Sequence, residues 1–240
     1  MKHRLITTLF VGLLAVAVSV PAITPSEDLL IAGAARSNRW RSDLYINNPG
    51  QTRVEVDVMW LIRDQANPSP TTKSYFVDAE ETLILTDVLL TEFGMNKGEG
   101  AFRITADGEV TANLIVYAGF NDSVGGTFGS GFEAIPASAA TAKGQTTFVM
   151  GLANADTFYT NVFALAGANG VTMELDLLDE DGTVLDTATE TLEAYEPWLS
   201  YKTDIWDVGA FSEGTLRAKV TDGSAAILGS VVDSRSQDPT

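Results

Sequence analysis

The chain repeats itself once, in order, at a spacing close to one domain length. Residues 30–117 recur as residues 148–233. Gly33 returns as Gly151, and Trp40-Arg41-Ser42-Asp43-Leu44-Tyr45 returns as Phe158-Tyr159-Thr160-Asn161-Val162-Phe163. The alternating Val54, Val56, Val58 and Trp60 return as Val171, Met173, Leu175 and Leu177. Asp87-Val88-Leu89 matches Asp204-Ile205-Trp206, and Glu99-Gly100-Ala101-Phe102-Arg103 matches Glu213-Gly214-Thr215-Leu216-Arg217. Self-similarity at this period means duplicated modules and not one large fold. Positions shared by the copies are expected to be scaffold. A specific role is expected where they differ: the loop 63–72, the segment 128–137, and the stop of the second copy at Thr240.

The dominant hydrophobic period is two. Val54, Val56, Val58, Trp60 and Ile62 share one face while Glu55 and Asp57 take the other. Val171, Met173, Leu175 and Leu177 alternate with Thr172, Glu174 and Asp176. Such alternation marks strands with one buried and one wet face. Residues 100–105 and 109–117 read as a strand pair joined by a hairpin turn at Ala106-Asp107-Gly108, and 214–220 and 225–232 as its copy, joined at Thr221-Asp222-Gly223. Asn48-Pro49-Gly50 reads as a turn in which Gly50 supplies a positive φ. Asp179-Glu180-Asp181-Gly182 closes the matching region of the second copy. In the first copy that place falls to 63–72, whose Asn67-Pro68-Ser69-Pro70 predicts a longer, stiffer loop. A short helical turn is expected at 86–93, capped by Thr86 and ended by Gly94, with 204–208 and Gly209 as its counterpart. Several short strands per module, spaced by Gly, Pro and Asp turns, describe an all-β chain of two tandem antiparallel β-sandwich domains. The predicted division is a signal peptide at 1–22, module one at 23–138 and module two at 139–240. The boundary lies in the Gly-, Ala-, Ser- and Thr-rich stretch 119–144.

The first residues read as an export signal. Lys2, His3 and Arg4 precede an apolar run at 5–20, and Val20-Pro21-Ala22 offers the small residues of a cleavage site after Ala22. The run is shorter than the ~20 residues a spanning helix requires. No second long apolar run follows, so no membrane span is expected in the mature chain. The chain contains no cysteine, so each module must be held by its core without disulfides.

The one histidine, His3, falls in the signal. A mature chain without His or Cys has no Ser-His-Asp or Cys-His machinery and none of the usual zinc, copper or haem ligands. No enzyme activity and no cofactor are therefore expected. Removing Lys2 and Arg4 from the 15 basic residues leaves 13 against 32 acidic ones, a net charge of −19. That surface repels phosphate backbones, so nucleic acid is not an expected partner.

The run from Trp40 to Gly50 (Trp-Arg-Ser-Asp-Leu-Tyr-Ile-Asn-Asn-Pro-Gly) resembles one found in secreted bacterial proteins built of immunoglobulin-like modules. So do Gly126-Thr127-Phe128-Gly129 with Ile135-Pro136-Ala137, and the ending from Ser230 to Thr240. The resemblance spans nearly the whole mature chain. It implies an exported tandem immunoglobulin-like pair and supplies no catalytic residue; the expected location is outside the cell or at its surface, with the periplasm as the alternative.

Few side chains stand out as site candidates. Asp179 and Asp181 are the weak metal candidates, because calcium takes clustered oxygens. Their Asp-x-Asp-Gly pattern is also an ordinary hairpin turn. The acidic residues supply carboxylate pairs, which hydrolyse glycosides without histidine, but no pair is marked out. Among the aromatics, Trp60 falls on an apolar face, and Trp40 and Trp206 match Phe158 and Leu89, which points to packing. Trp198 and Tyr201 lack firm counterparts and form the candidate ligand surface, suited to stacking on a sugar. Arg103 and Arg217 occupy equivalent strand positions and read as cross-strand ion pairs. The expected function is non-enzymatic: a structural, adhesive or interaction role with a protein or glycan partner at the cell surface. The alternatives are a carbohydrate-binding accessory protein, or a self-associating subunit that uses an open sheet edge of module two near 231–240.

Overall fold

The computed structural model describes residues 24–118, 128–155 and 157–236. The expected export signal and its cleavage after Ala22, and residues 119–127 and 237–240, lie outside them. The described chain is all-β and forms two tandem sandwich domains. The first contains β1 (Ser26–Arg36), β2 (Arg41–Asn47), β3 (Val54–Ile62), β4 (Thr71–Val77), β5 (Thr82–Leu85), one helical turn α1 (Val88–Thr91), β6 (Gly98–Ala118), β7 (Phe128–Glu133) and β8 (Ile135–Pro136). The second contains β9 (Thr141–Ala142), β10 (Thr146–Asn154), β11 (Phe158–Leu178), β12 (Val184–Leu192), β13 (Pro197–Ser200) and β14 (Phe211–Asp233). β8 pairs with β1 and β9 with β14, so the chain crosses between modules over the 3-10 turn Ala137–Ala139.

Every strand pair is antiparallel, and the duplication is legible in the pairing. One half of β6 pairs with β1 and β3, and the other half with β2 and β7. β14 likewise runs through both layers, pairing with β10 in one and with β11 along nearly its whole length. β11 is the single-strand equivalent of β2 and β3. The core of module one lies between the layers: Leu29, Ile31, Val56, Val58, Phe102 and Ile104 meet Leu44, Ile46, Leu114 and Val116. Module two repeats this with Val162, Met173, Leu175, Leu177, Leu216 and Trp206. Each such side chain contributes about 1.5–3 kcal/mol on burial.

One polar clasp recurs in both copies. The Ser42 hydroxyl is fully buried, accepts the Ala35 N–H at 3.1 Å and donates to the Ala35 carbonyl at 2.8 Å. Thr160 does the same to Ala153, at 2.9 Å in each direction. The clasped residues sit just beyond the irregular stretches of β1 and β10, between Ile31 and Ala34 and between Met150 and Leu152.

The structure corrects several local expectations. Ala106-Asp107-Gly108 and Thr221-Asp222-Gly223 are not hairpin turns. They are corners at which one long strand passes from layer to layer. The Asp107 carboxylate serves the neighbouring strand, accepting the Glu55 N–H at 2.8 Å. Gly50 has no positive φ; the loop is held by the buried Asn48 amide, which donates to the Thr52, Val77 and Asp78 carbonyls and accepts the Gly50 N–H. Asp87, and not Thr86, precedes α1, in the left-handed region and without a side-chain cap. In module two the matching turn lies earlier than 204–208, at Tyr201–Thr203. Part of the stretch read as linker, Phe128–Glu133, is strand β7 of module one.

The modules are joined by a third apolar cluster. Leu30, Leu61, Ala32 and Ala101 of the first pack against Leu165 and Ala226 of the second, with Ala140 of the crossover between them. The loop after β3 straps this joint. Asp64 N–H donates to the Pro197 carbonyl and Asn67 N–H to the Ala194 carbonyl, both at 3.0 Å. Arg103, paired with Asp28 at 2.9 and 2.8 Å, also lies 4.6 Å above the Tyr195 ring. Its equivalent Arg217 pairs with Asp176 on β11. Both arginines therefore form the expected cross-strand ion pairs, but only Arg103 reaches across the joint.

Candidate functional site

Beside the joint the modules leave a cleft of about 510 Å³, within the usual range for small-molecule sites. Its floor is made by small residues, Ala32, Ala34 and Ala35 of β1 and Gly100 of β6. Trp40 and Phe132 line it from module one. Tyr159, Phe163, Trp198, Leu199 and Tyr201 line it from module two. Its polar groups include Arg63, Glu99, Asn161, Ser130 and Ser230. The Arg63 guanidinium is engaged by Asp64 and Glu99.

The strand order explains the convergence. β13 pairs with β11, placing Trp198 beside Ala164 and Leu199 beside Phe163. The chain then turns sharply through Lys202 and Thr203, at φ 55° and 56°. That turn brings Tyr201 to Tyr159, ring centroids 5.8 Å apart at 61°. The Lys202 ammonium lies 4.9 Å from the Tyr159 ring and 5.2 Å from the Tyr201 ring. Its backbone N–H donates to Asn161 Oδ1 at 3.1 Å. Burial, and next the neighbouring Tyr201, push the Tyr159 phenol above its ordinary value. Two left-handed non-glycine residues in succession cost about 1–3 kcal/mol each. They hold an exposed aromatic over a concavity, which an ordinary reverse turn does not require.

Both aromatic candidates fall in this cleft. Tyr201 is half exposed, while Trp198 is half-buried with part of its ring against the module-two core. Trp60 and Trp206 are core, as read. Trp40 does more than pack: it lines the cleft and stands edge-on to Phe128 at 5.9 Å. The sequence also missed Tyr159 and Phe163 as cleft residues, because alignment with the first copy marked them as scaffold. The edge-to-face pair of Phe163 with Phe132 across the modules, at 5.3 Å and 80°, depends on docking that no local pattern records.

The acidic turn has a structural use. Asp179 Oδ1 accepts the N–H groups of Asp181 at 3.0 Å and Thr183 at 2.8 Å, closing the β11–β12 hairpin. Among the described residues no three His, Cys, Asp or Glu side chains converge on a metal-sized site. No helix among them is long and apolar enough to cross a membrane.

One carboxylate outside the cleft is out of balance. Burial first, then the like charges of Asp204 and Glu196, push the Glu190 carboxyl upward. A carboxyl raised in the folded state binds its proton more tightly there, so its contribution is present at low pH and lost as pH rises through the folded value. Glu190→Gln is therefore expected to raise the melting midpoint at pH 7 and to leave it unchanged at about pH 3.5, below the ordinary glutamate value of about 4.3. Melting curves at the two pH values test this, and an equal shift at both refutes it.

A scan against protein-family models finds no match, and a comparison with curated proteins finds none either. Among solved structures, the crystal structure of Thermotoga maritima 1070 aligns at a TM-score of 0.39 and 10% identity, covering 47% of this chain and 96% of that one. The PBSX exported protein XepA aligns at a TM-score of 0.28 and 15% identity, covering 87% of this chain and 84% of that one. Likenesses this low carry no functional inference to this chain.

Proposed function

We propose that this is a non-enzymatic exported binding protein, secreted or held at the cell surface in an adhesive or interaction role, with carbohydrate as the ligand class of its inter-module cleft. One observation carries the reading: Trp198 and Tyr201 converge with Trp40 and Tyr159 on the same concavity. Aromatic faces stack on the apolar faces of sugar rings, while Asn161, Ser130, Ser230 and the neutral Tyr159 hydroxyl suit their hydroxyl groups. Export rests on the 1–22 segment, and the tandem modules resemble the immunoglobulin-like modules of secreted bacterial proteins. The absence of His and Cys beyond His3 supports binding over catalysis.

A glycan array followed by calorimetric titration tests the reading. Tyr201→Ala removes a half-exposed ring and should weaken binding at least about tenfold while the melting curve stays unchanged. Trp198→Ala should weaken binding further, with some loss of stability because the indole also packs on the core. An array without signal, or undiminished binding in Tyr201→Ala, removes the carbohydrate reading. Robust turnover in a hydrolase screen removes the non-enzymatic one.

A further inference from the structure

β10 pairs with β14 along one side, and among the described residues no strand pairs with its other side. The matching strand of module one is treated differently. β1 lies between β6 and β8, with Leu29 and Leu30 opposite Pro136 and Ile135. An exposed edge offers unpaired N–H and C=O groups to any strand that arrives, and proteins usually guard it with charge, proline or brevity. Four of the other outer strands are guarded. β4 carries Lys73 and follows Pro68 and Pro70, β12 carries Asp186 and Glu190, and β5 and β13 are four residues each. β10 is nine residues, Thr146-Thr147-Phe148-Val149-Met150-Gly151-Leu152-Ala153-Asn154, with no charge and no proline. Met150 is 78% exposed, the most exposed large apolar side chain described, and Phe148 is 54% exposed.

We propose that β10 is a self-association edge, on which the β10 strand of a second copy pairs antiparallel. Charge and symmetry select that occupant. At a net charge of −17, like-charged repulsion opposes contact over most of the surface, and β10 is an ion-free window in it. A basic partner would find no carboxylate on the strand to recognise. The regular stretch 146–150 ends at Gly151, whose φ of 77° begins the bulge. Antiparallel pairing of those five residues with themselves centres on Phe148. Phe148 then faces its own copy, and Thr146 faces Met150, twice by symmetry. A ladder this short predicts a weak dimer, with a dissociation constant on the order of 100 µM, tightening as salt screens the repulsion.

Sedimentation velocity on the exported protein, across concentration and salt, tests the proposal. Expected is a monomer–dimer equilibrium that Met150→Glu weakens at least tenfold without moving the melting curve, while Phe76→Lys, which removes from β4 a ring more exposed than that of Phe148, leaves it unchanged. A second measurement uses the absence of native cysteine. Phe148→Cys should close an intermolecular disulfide on mild oxidation, and Phe76→Cys should not. A protein that stays monomeric to millimolar concentration overturns the proposal. So do a Met150→Glu variant that associates as well as the parent and equal cross-linking at the two positions.

Discussion

Replacing Asn67 by alanine is expected to lower the unfolding free energy by about 2–4 kcal/mol, read from urea titration. Asn67 is only 5% exposed, and its amide is fully used. Oδ1 accepts the Ile62 N–H at 2.9 Å, and Nδ2 donates to the carbonyls of Ile62, Gln65 and Tyr195 at 2.9–3.0 Å. Alanine strands those groups at the joint between modules. A buried donor or acceptor left without a partner costs about 1–3 kcal/mol, well above the net worth of the bond it made. Asn67→Asp should be the more damaging change, since a carboxylate placed against three carbonyls finds repulsion where the amide found acceptors. The loss should extend to ligand binding, because the Ala194–Tyr195–Pro197 turn that Asn67 holds leads directly into Trp198. A cost under about 0.5 kcal/mol would show that the strap does not couple the modules.

This residue marks the limit of what the sequence discloses. Alternation of Val54, Val56, Val58 and Trp60, and its echo from Val171 to Leu177, revealed the strands and their buried faces, because a period of two is a local property. The duplication revealed the two-domain plan. It also directed attention to the 63–72 loop and the 128–137 segment, which became the strap and the closing strands β7 and β8. The candidates Trp198 and Tyr201 stood out by lacking counterparts, and they lie together in the cleft. What stayed hidden depends on docking. Leu30, Leu61 and Leu165 read as ordinary strand residues, and only the packing of one sheet on the other shows that they form a core between modules. Tyr159 and Phe163 looked like scaffold because they match Arg41 and Tyr45 in the first copy; the cleft exists only where the copies face each other. Asp-Gly signals hairpins through glycine's freedom at positive φ, yet the same freedom serves a strand that bends between layers.

Gly223 separates those two uses of glycine by experiment. Gly223→Ala is expected to cost about 3 kcal/mol or more, and Gly108→Ala no more than about 1 kcal/mol, although the two glycines occupy matching corners. Gly223 has a φ of 68°, a region where alanine pays about 1 kcal/mol for its Cβ. A Cβ at that position would also fall upon the Gly170 carbonyl oxygen, which is backbone and has nowhere to move without parting β11 from β14. At Gly108 the φ is ordinary, and the added Cβ would meet Val54, nearest at Cγ1 2.7 Å away, a side-chain methyl and not backbone. The difference follows from the long strand of module two. β11 continues unbroken past the corner and carries Gly170 against it, whereas module one divides the same path into β2 and β3 and leaves room. Were the two Asp-Gly pairs tips of exposed hairpins, neither substitution would meet a neighbouring strand. Equal costs for the two variants in urea titration would therefore refute the continuous-strand description of β14.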